Sequence, residues 1–153
     1  MSKYILCDAA TADYGKSTTL NHLLALFQSM PNLYKVTPLQ KYNTEGDNVC
    51  LIECLHIGKT ILIQTGGDNS YAFQLTLNHL EKNTTMLPDV IVCASRTKGG
   101  SAEEAEYIRR TYNYHYIDFR NLCAWEKSDI DFVKQLNLQF LVTAMYEIIL
   151  HLL

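Results

Sequence analysis

The amino-acid sequence predicts an α/β fold with three layers, a mostly parallel sheet with helices on both of its faces. Short apolar runs alternate along the chain with segments of helical period, which is typical of this class. One run, residues 90–94, is apolar at every position, as expected of a strand that is covered on both faces. The 153 residues, 48% of them hydrophobic and 19% charged, predict one globular domain over residues 1–153.

Each element follows from a local pattern. The helix that begins at Lys16 has apolar side chains at i, i+3, i+4 and i+7, the spacing of one helix face. Gly58 separates two β-patterned runs and predicts a hairpin, which adds one antiparallel edge strand to the sheet. Ser101 and Glu104 form the pattern of a helix capping box. The predicted elements are, in chain order, strand Tyr4–Ala9, helix Lys16–Ser29, an ambiguous segment Tyr34–Tyr42, strands Val49–Ile57 and Lys59–Gln64, helix Tyr71–Lys82, strand Asp89–Ser95, helix Ser101–Tyr112, strand Tyr114–Phe119 and a long helix from Ser128 to the C-terminus.

Charge, hydropathy and cysteine content argue against several classes of protein. The net charge of −3 gives no direct signal for nucleic-acid binding, which favours strongly basic surfaces. The first apolar stretch is too short for a signal peptide, and Glu147 and His151 interrupt the most apolar segment, so we expect no membrane association. The five cysteines are odd in number and lie mostly in apolar runs. This pattern predicts reduced, buried thiols in a cytoplasmic protein.

The loop between the first strand and the first helix carries the clearest motif. Residues Ala10–Ser17 follow the phosphate-binding pattern Gly-x-x-x-x-Gly-Lys-Ser/Thr, with Ala10 at the position of the first glycine. In such a loop, backbone N–H groups and the positive end of the helix dipole converge on one anion. The nucleotide-binding residues predicted from this motif are Ala12, Asp13, Tyr14, Gly15, Lys16, Ser17 and Thr18.

These residue types suit the chemistry of a nucleotide phosphate chain. Gly15 lets the backbone approach an oxygen closely. The Lys16 ammonium neutralises the outer phosphates and is a candidate catalytic group, and the Ser17 hydroxyl is a ligand for Mg²⁺. Thr18 adds a contact near the α-phosphate. The alternative interpretation of the same residues is a plain helix N-terminus with a capping glycine.

The motif resembles that of the P-loop NTPase superfamily, closely over Ala10–Ser17 and elsewhere only in the order of elements. The resemblance implies a P-loop type of fold and a nucleotide, ATP or GTP, bound together with Mg²⁺. The hairpin and the residues after it look similar to GTPase-like members, in which the corresponding strand ends in an aspartate. Gln64 takes the place of that aspartate, so metal binding or hydrolysis is expected to be weak.

Two carboxylates are candidates to replace the missing aspartate. Asp8 ends the first strand and is expected to lie beside the strand Lys59–Gln64. There it is a candidate metal ligand and catalytic group. Asp68 is positioned to orient a water molecule or accept its proton, and the backbone N–H of Gly67 to bind a γ-phosphate. The alternative for this segment is a simple turn into the next helix, capped by Asp68 or Ser70.

Two arginines at the ends of later strands complete the predicted site. Arg96 is a candidate for contacts to phosphates or to an acidic substrate, and Arg120 for stacking on the base. Both also fit solvated surface loops. Residues 95–100 lack the aspartate with which P-loop GTPases read guanine, so ATP is favoured over GTP.

Three functions fit this set of residues. The first is ATP–Mg²⁺ binding with slow hydrolysis, the second a phosphotransferase with Asp8 as base and Arg96 as substrate clamp. The third is a nucleotide-dependent interaction module without catalysis, which the glutamine at position 64 favours. Apolar residues of the last helix cover more than one face, which predicts either burial or a homodimer formed through that helix.

Overall fold

The structure is a computed structural model, and it describes residues 2–9, 16–40, 46–66, 70–95, 100–120, 122–123 and 125–153. The described part contains six strands and five α-helices, the last two joined through a π-helical segment. These are β1 (Tyr4–Ala9), α1 (Lys16–Gln28), β2 (Tyr34–Pro38), β3 (Val49–Cys54), β4 (Lys59–Gln64), α2 (Ser70–Lys82), β5 (Val90–Ser95), α3 (Gly100–Tyr112), β6 (His115–Phe119), α4 (Ile130–Leu136) and α5 (Val142–Leu152).

The six strands form one mixed sheet in the order β2-β3-β4-β5-β1-β6. The neighbours β4 and β5, β5 and β1, and β1 and β6 are parallel, whereas β3 is antiparallel to both β2 and β4. The predicted hairpin is therefore confirmed, but the antiparallel strand is not at the edge. The ambiguous segment supplies the edge strand β2, and Pro38 ends it, where a missing N–H is tolerated.

The helices cover the sheet on both faces, as the sequence predicts. Side chains of β1 point to opposite faces in turn, because successive residues of a strand alternate. Leu6 packs with α1 and α5 on one face, which we call the α1 face. Ile5 and Cys7 pack with α2 and α3 on the other, which we call the α2 face. β1, β4 and β5 thus carry buried apolar side chains on both faces, which explains the continuous apolar run of β5.

The expected single long helix at the end of the chain is interrupted. A 3₁₀ turn precedes α4, and residues Asn137–Leu141 form a π-helical segment before α5. The Asn137 side chain is buried and binds the backbone of Leu122 at both ends, accepting from its N–H at 2.8 Å and donating to its carbonyl at 3.1 Å. This pairing with a segment outside the helix accompanies the local change in helical period.

Helix α5 packs one stripe of side chains into the core of the α1 face. Val142, Met145 and Ile149 are buried there, so burial within the fold accounts for much of the helix's apolar character. Phe140 and Leu150 remain exposed, and the homodimer stays a prediction. Among the described residues, every helix falls short of the length and apolar character that crossing a membrane requires.

Candidate functional site

The predicted site residues divide into those that the structure describes and those that it does not. Lys16, Ser17, Thr18, Asp8 and Arg120 belong to the described part of the chain. The others lie outside the described residues: Ala12, Asp13, Tyr14, Gly15, Gly67, Asp68 and Arg96.

Lys16 is the first residue of α1 and is almost fully buried, with 6% of its surface exposed. Its Nζ donates a hydrogen bond of 3.0 Å to the carbonyl oxygen of Ser95, the last residue of β5. A buried ammonium group is costly unless it is hydrogen-bonded, so this contact helps to hold the charge inside the protein. The result is a cation at the carboxyl end of the central strands.

Ser17 joins the start of α1 to the end of β4. Its Oγ donates a hydrogen bond of 2.9 Å to the carbonyl oxygen of Thr65, directly after β4. A hydroxyl that donates its single proton keeps its lone pairs, so Ser17 Oγ can still act as an oxygen ligand for a cation. The N-terminus of α1 therefore lies over the carboxyl ends of β4 and β5, the edge at which open α/β sheets bind ligands.

Asp8 lies in β1, fully buried, on the same side of the strand as Leu6 and therefore on the α1 face. Its sheet neighbours are Ala94 of β5 and Phe119 of β6. The expectation that Asp8 lies beside the strand Lys59–Gln64 is wrong, because β5 is inserted between β1 and β4. Local sequence could not show this, since strand order depends on pairing between distant segments.

Gln64 is a structural link rather than a group that projects freely into a ligand site. Its Nε2 donates to the carbonyl oxygen of Gly66 at 3.0 Å, and its Oε1 accepts from Thr76 Oγ1 at 2.6 Å. Both Gln64 and Thr76 are completely buried. The amide thus fastens the end of β4 to α2, and these two bonds engage it at both of its polar atoms.

A buried polar network that no sequence motif indicates supports the start of α1. The backbone N–H of Asn48 donates to Thr65 Oγ1 at 2.8 Å, and Thr65 N–H donates to the carbonyl oxygen of Asn48 at 2.8 Å. Asn48 Nδ2 donates to Asn21 Oδ1 of α1 at 2.9 Å. In the sequence, this network is indicated only by an asparagine on the inner face of α1 and by the polar turn before β3. The network holds the segment after β4 against α1, next to Ser17.

Gly66 continues this contact beyond the end of β4. A Cβ atom at Gly66 would overlap the side chain of Asp47, so the two segments approach closely here. A larger residue at position 66 would require Asp47 to move. This feature gives the glycine a structural role that needs no ligand.

Arg120 and Thr18 lie at the surface of the same end of the sheet. Arg120 directly follows β6, whose last residue, Phe119, pairs with Asp8. Both Arg120 and Thr18 are exposed. The structure thus brings Arg120 to the sheet edge that carries Asp8, in a position accessible to a ligand in solution.

Two cysteines lie on the α2 face of the sheet, each two residues before the end of its strand. Cys7 of β1 and Cys93 of β5 are in register, and both are buried. A hydrogen bond between the two thiols lowers the pKa of Cys7, and the same bond together with burial raises the pKa of Cys93. Cys7 Sγ also donates to Ser95 Oγ at 3.2 Å. Ser95 therefore connects this pair with Lys16.

The two predicted metal-binding residues offer oxygen atoms, which suit a hard cation better than a soft one. Ser17 Oγ and the Asp8 carboxylate are the oxygen ligands that Mg²⁺ prefers. In the described ranges, no cluster of three or more His, Cys, Asp or Glu side chains could hold a metal ion by itself. Comparison of the chain with family models, with curated proteins and with solved structures finds no match.

Proposed function

We propose that this chain is a P-loop nucleotide-binding protein that binds ATP with Mg²⁺ and hydrolyses it slowly. The observation that carries the proposal is the position of Lys16 and Ser17. They begin a helix that follows an interior strand, and they contact the ends of β5 and β4. A cation, a hydroxyl and a helix N-terminus thus meet at the sheet edge where α/β folds bind ligands.

Each described residue has a role in this proposal. Lys16 Nζ exchanges the Ser95 carbonyl for phosphate oxygens, which gain more from a full positive charge than a neutral carbonyl does. Ser17 Oγ and the Asp8 carboxylate would hold Mg²⁺, and the ion would neutralise charge on the phosphates. Arg120 binds the base or a phosphate from the surface.

A non-catalytic, nucleotide-dependent interaction module is the second candidate. It is favoured by Gln64, because β4 ends in a neutral side chain whose amide is already bound to Gly66 and Thr76. Hydrolysis in this case would lack a carboxylate at that strand end.

Binding is tested by thermal unfolding with ATP, ADP, GTP and GDP, each with and without Mg²⁺. Ligand at about 100 times its Kd stabilises the folded state by about 2.7 kcal/mol. For a domain of this size that raises the Tm by roughly 5–10 °C. Lys16→Met keeps most of the buried volume but removes the charge, so it should abolish the shift with ATP. Lys82→Met, at an exposed position at the end of α2, is the matched control and should keep it.

Two results would contradict the proposal: no shift with any nucleotide in the wild type, or a full shift in a folded Lys16→Met variant. Circular dichroism shows whether that variant is folded. Release of inorganic phosphate separates the two candidates. Mg²⁺-dependent turnover supports the hydrolase, whereas binding without turnover supports the interaction module.

A further inference from the structure

We propose that Cys7 and Cys93 are a modification site, a thiol pair that a hydroperoxide oxidises to a disulfide between β1 and β5. The two residues are direct neighbours in the parallel register of these strands. Both side chains are buried on the α2 face, and Cys7 Sγ donates a hydrogen bond of 3.2 Å to Ser95 Oγ, two residues beyond Cys93. The two cysteines thus lie side by side on the same face of the sheet.

The geometry of the sheet permits the bond under strain. Neighbouring strands lie about 4.8 Å apart, within the Cα separations of roughly 4.4–6.8 Å that disulfides span. In-register Cβ atoms of parallel strands are about as far apart as the strands, whereas a relaxed disulfide brings them to about 3.8 Å. The two Cβ atoms must therefore approach each other by roughly 1 Å, through local rotation of the two residues, because the hydrogen bonds between the strands prevent the backbones from coming closer. Such strain makes a disulfide easier to reduce, so we expect the bond to be reversible.

The remaining cysteines lack this arrangement. Cys50 and Cys54 are buried in the same strand, four residues and roughly 13 Å apart, which is too far for a disulfide. Cys123 is exposed after the end of β6. These three positions provide internal controls, two of them buried and one accessible.

The chemistry balances with hydrogen peroxide as the oxidant. One thiol sulfur attacks a peroxide oxygen, the O–O bond breaks, and water and a sulfenic acid form. The sulfur of the second thiol then attacks the sulfenic sulfur and expels a second water. Two thiols lose two electrons and two hydrogens to one peroxide, and a single S–S bond results. Because the pair is buried, we expect it to react more slowly than Cys123.

Oxidation changes the surroundings of Lys16. Cys7 Sγ donates to Ser95 Oγ, and the carbonyl oxygen of Ser95 accepts from Lys16 Nζ at 3.0 Å. A disulfide removes the thiol proton from the first of these bonds and draws the Cys7 and Cys93 side chains together, so Ser95, two residues further along β5, and Lys16 shift with them. This consequence rests on the proposed function. We expect the affinity for ATP to fall roughly tenfold, within the usual range of coupling between two sites.

The test uses the full chain in a Cys123→Ser background, treated with hydrogen peroxide and then digested. Mass spectrometry should show a loss of ~2 Da, from two hydrogens, and a cross-linked peptide that contains Cys7 and Cys93. Dithiothreitol should restore the starting mass. Cys7→Ser and Cys93→Ser should each prevent the cross-link, whereas Cys50→Ser should leave it unchanged.

Absence of the Cys7–Cys93 peptide, when Cys123 of the wild type is fully oxidised, would overturn the site. So would oxidation of Cys7 to its sulfinic acid without any cross-link. This readout contains no nucleotide, so it stands or fails independently of ATP binding. A cross-linked protein that binds ATP as tightly as the reduced one would overturn the coupling to Lys16.

Discussion

The two faces of the sheet are stabilised in different ways. The α1 face is filled mainly by large apolar side chains, and Phe27 packs edge-to-face on Tyr34 with ring centroids 4.8 Å apart. The α2 face combines its apolar packing with buried polar contacts, among them the Gln64–Thr76 and Cys7–Ser95 hydrogen bonds. The two faces therefore offer two different tests, a lost aromatic ring at Phe27 on the first face and a broken hydrogen bond at Thr76 on the second.

The largest effect is expected from a cavity on the α1 face. Phe27 of α1 is completely buried against Tyr34 of β2 and Tyr146 of α5, so Phe27→Ala removes an aromatic ring from the core. We expect a loss of about 3–5 kcal/mol in the free energy of unfolding, measured by urea denaturation. Phe140→Ala, at an exposed position, is the control and should change it by less than about 0.5 kcal/mol. Equal losses at both positions would contradict the assigned packing.

A smaller effect is expected from a broken hydrogen bond on the α2 face. Thr76→Val keeps the shape of the side chain but leaves Gln64 Oε1 buried without the Thr76 hydroxyl, which donates at 2.6 Å. We expect a loss of about 1–3 kcal/mol. Gln64→Leu combined with Thr76→Val should recover part of it, since both polar partners are then removed. If the losses measured for Gln64→Leu alone and Thr76→Val alone simply add up in the double variant, the hydrogen bond is not the source of the effect.

The smallest effect concerns the dependence of stability on pH. Partial burial on α2 lowers the pKa of His79 below its ordinary value of 6.5. The unfolded chain then binds a proton at a higher pH than the folded chain, so this group's contribution is complete above pH 6.5 and is lost as the pH falls toward the lowered pKa. His79→Gln should flatten that decline in urea titrations between about pH 5 and 7. An unchanged slope would contradict the assignment, and His22→Gln, at an exposed position on α1, is the control.

Most elements of the fold could be predicted from local patterns. The apolar run of β5, the periodic face of α1 and the hairpin around Gly58 each depend on residues close together in the chain. Only part of the candidate site could be predicted from local patterns. The motif places Lys16 and Ser17 at a helix start, but nothing local indicates that they contact Ser95 and Thr65.

By itself, the sequence determined the α/β class, the alternation of strands with helices and the helix that begins at Lys16. These features follow from backbone preference and from the period with which apolar side chains recur, both of which act over a few residues. Only the tertiary structure decided that β5 separates β1 from β4, that Gln64 bonds to Thr76, and that Cys7 meets Cys93. The reason is physical: strand order depends on pairing between distant segments, and each buried polar group takes its hydrogen-bond partner from whichever segment the fold places beside it.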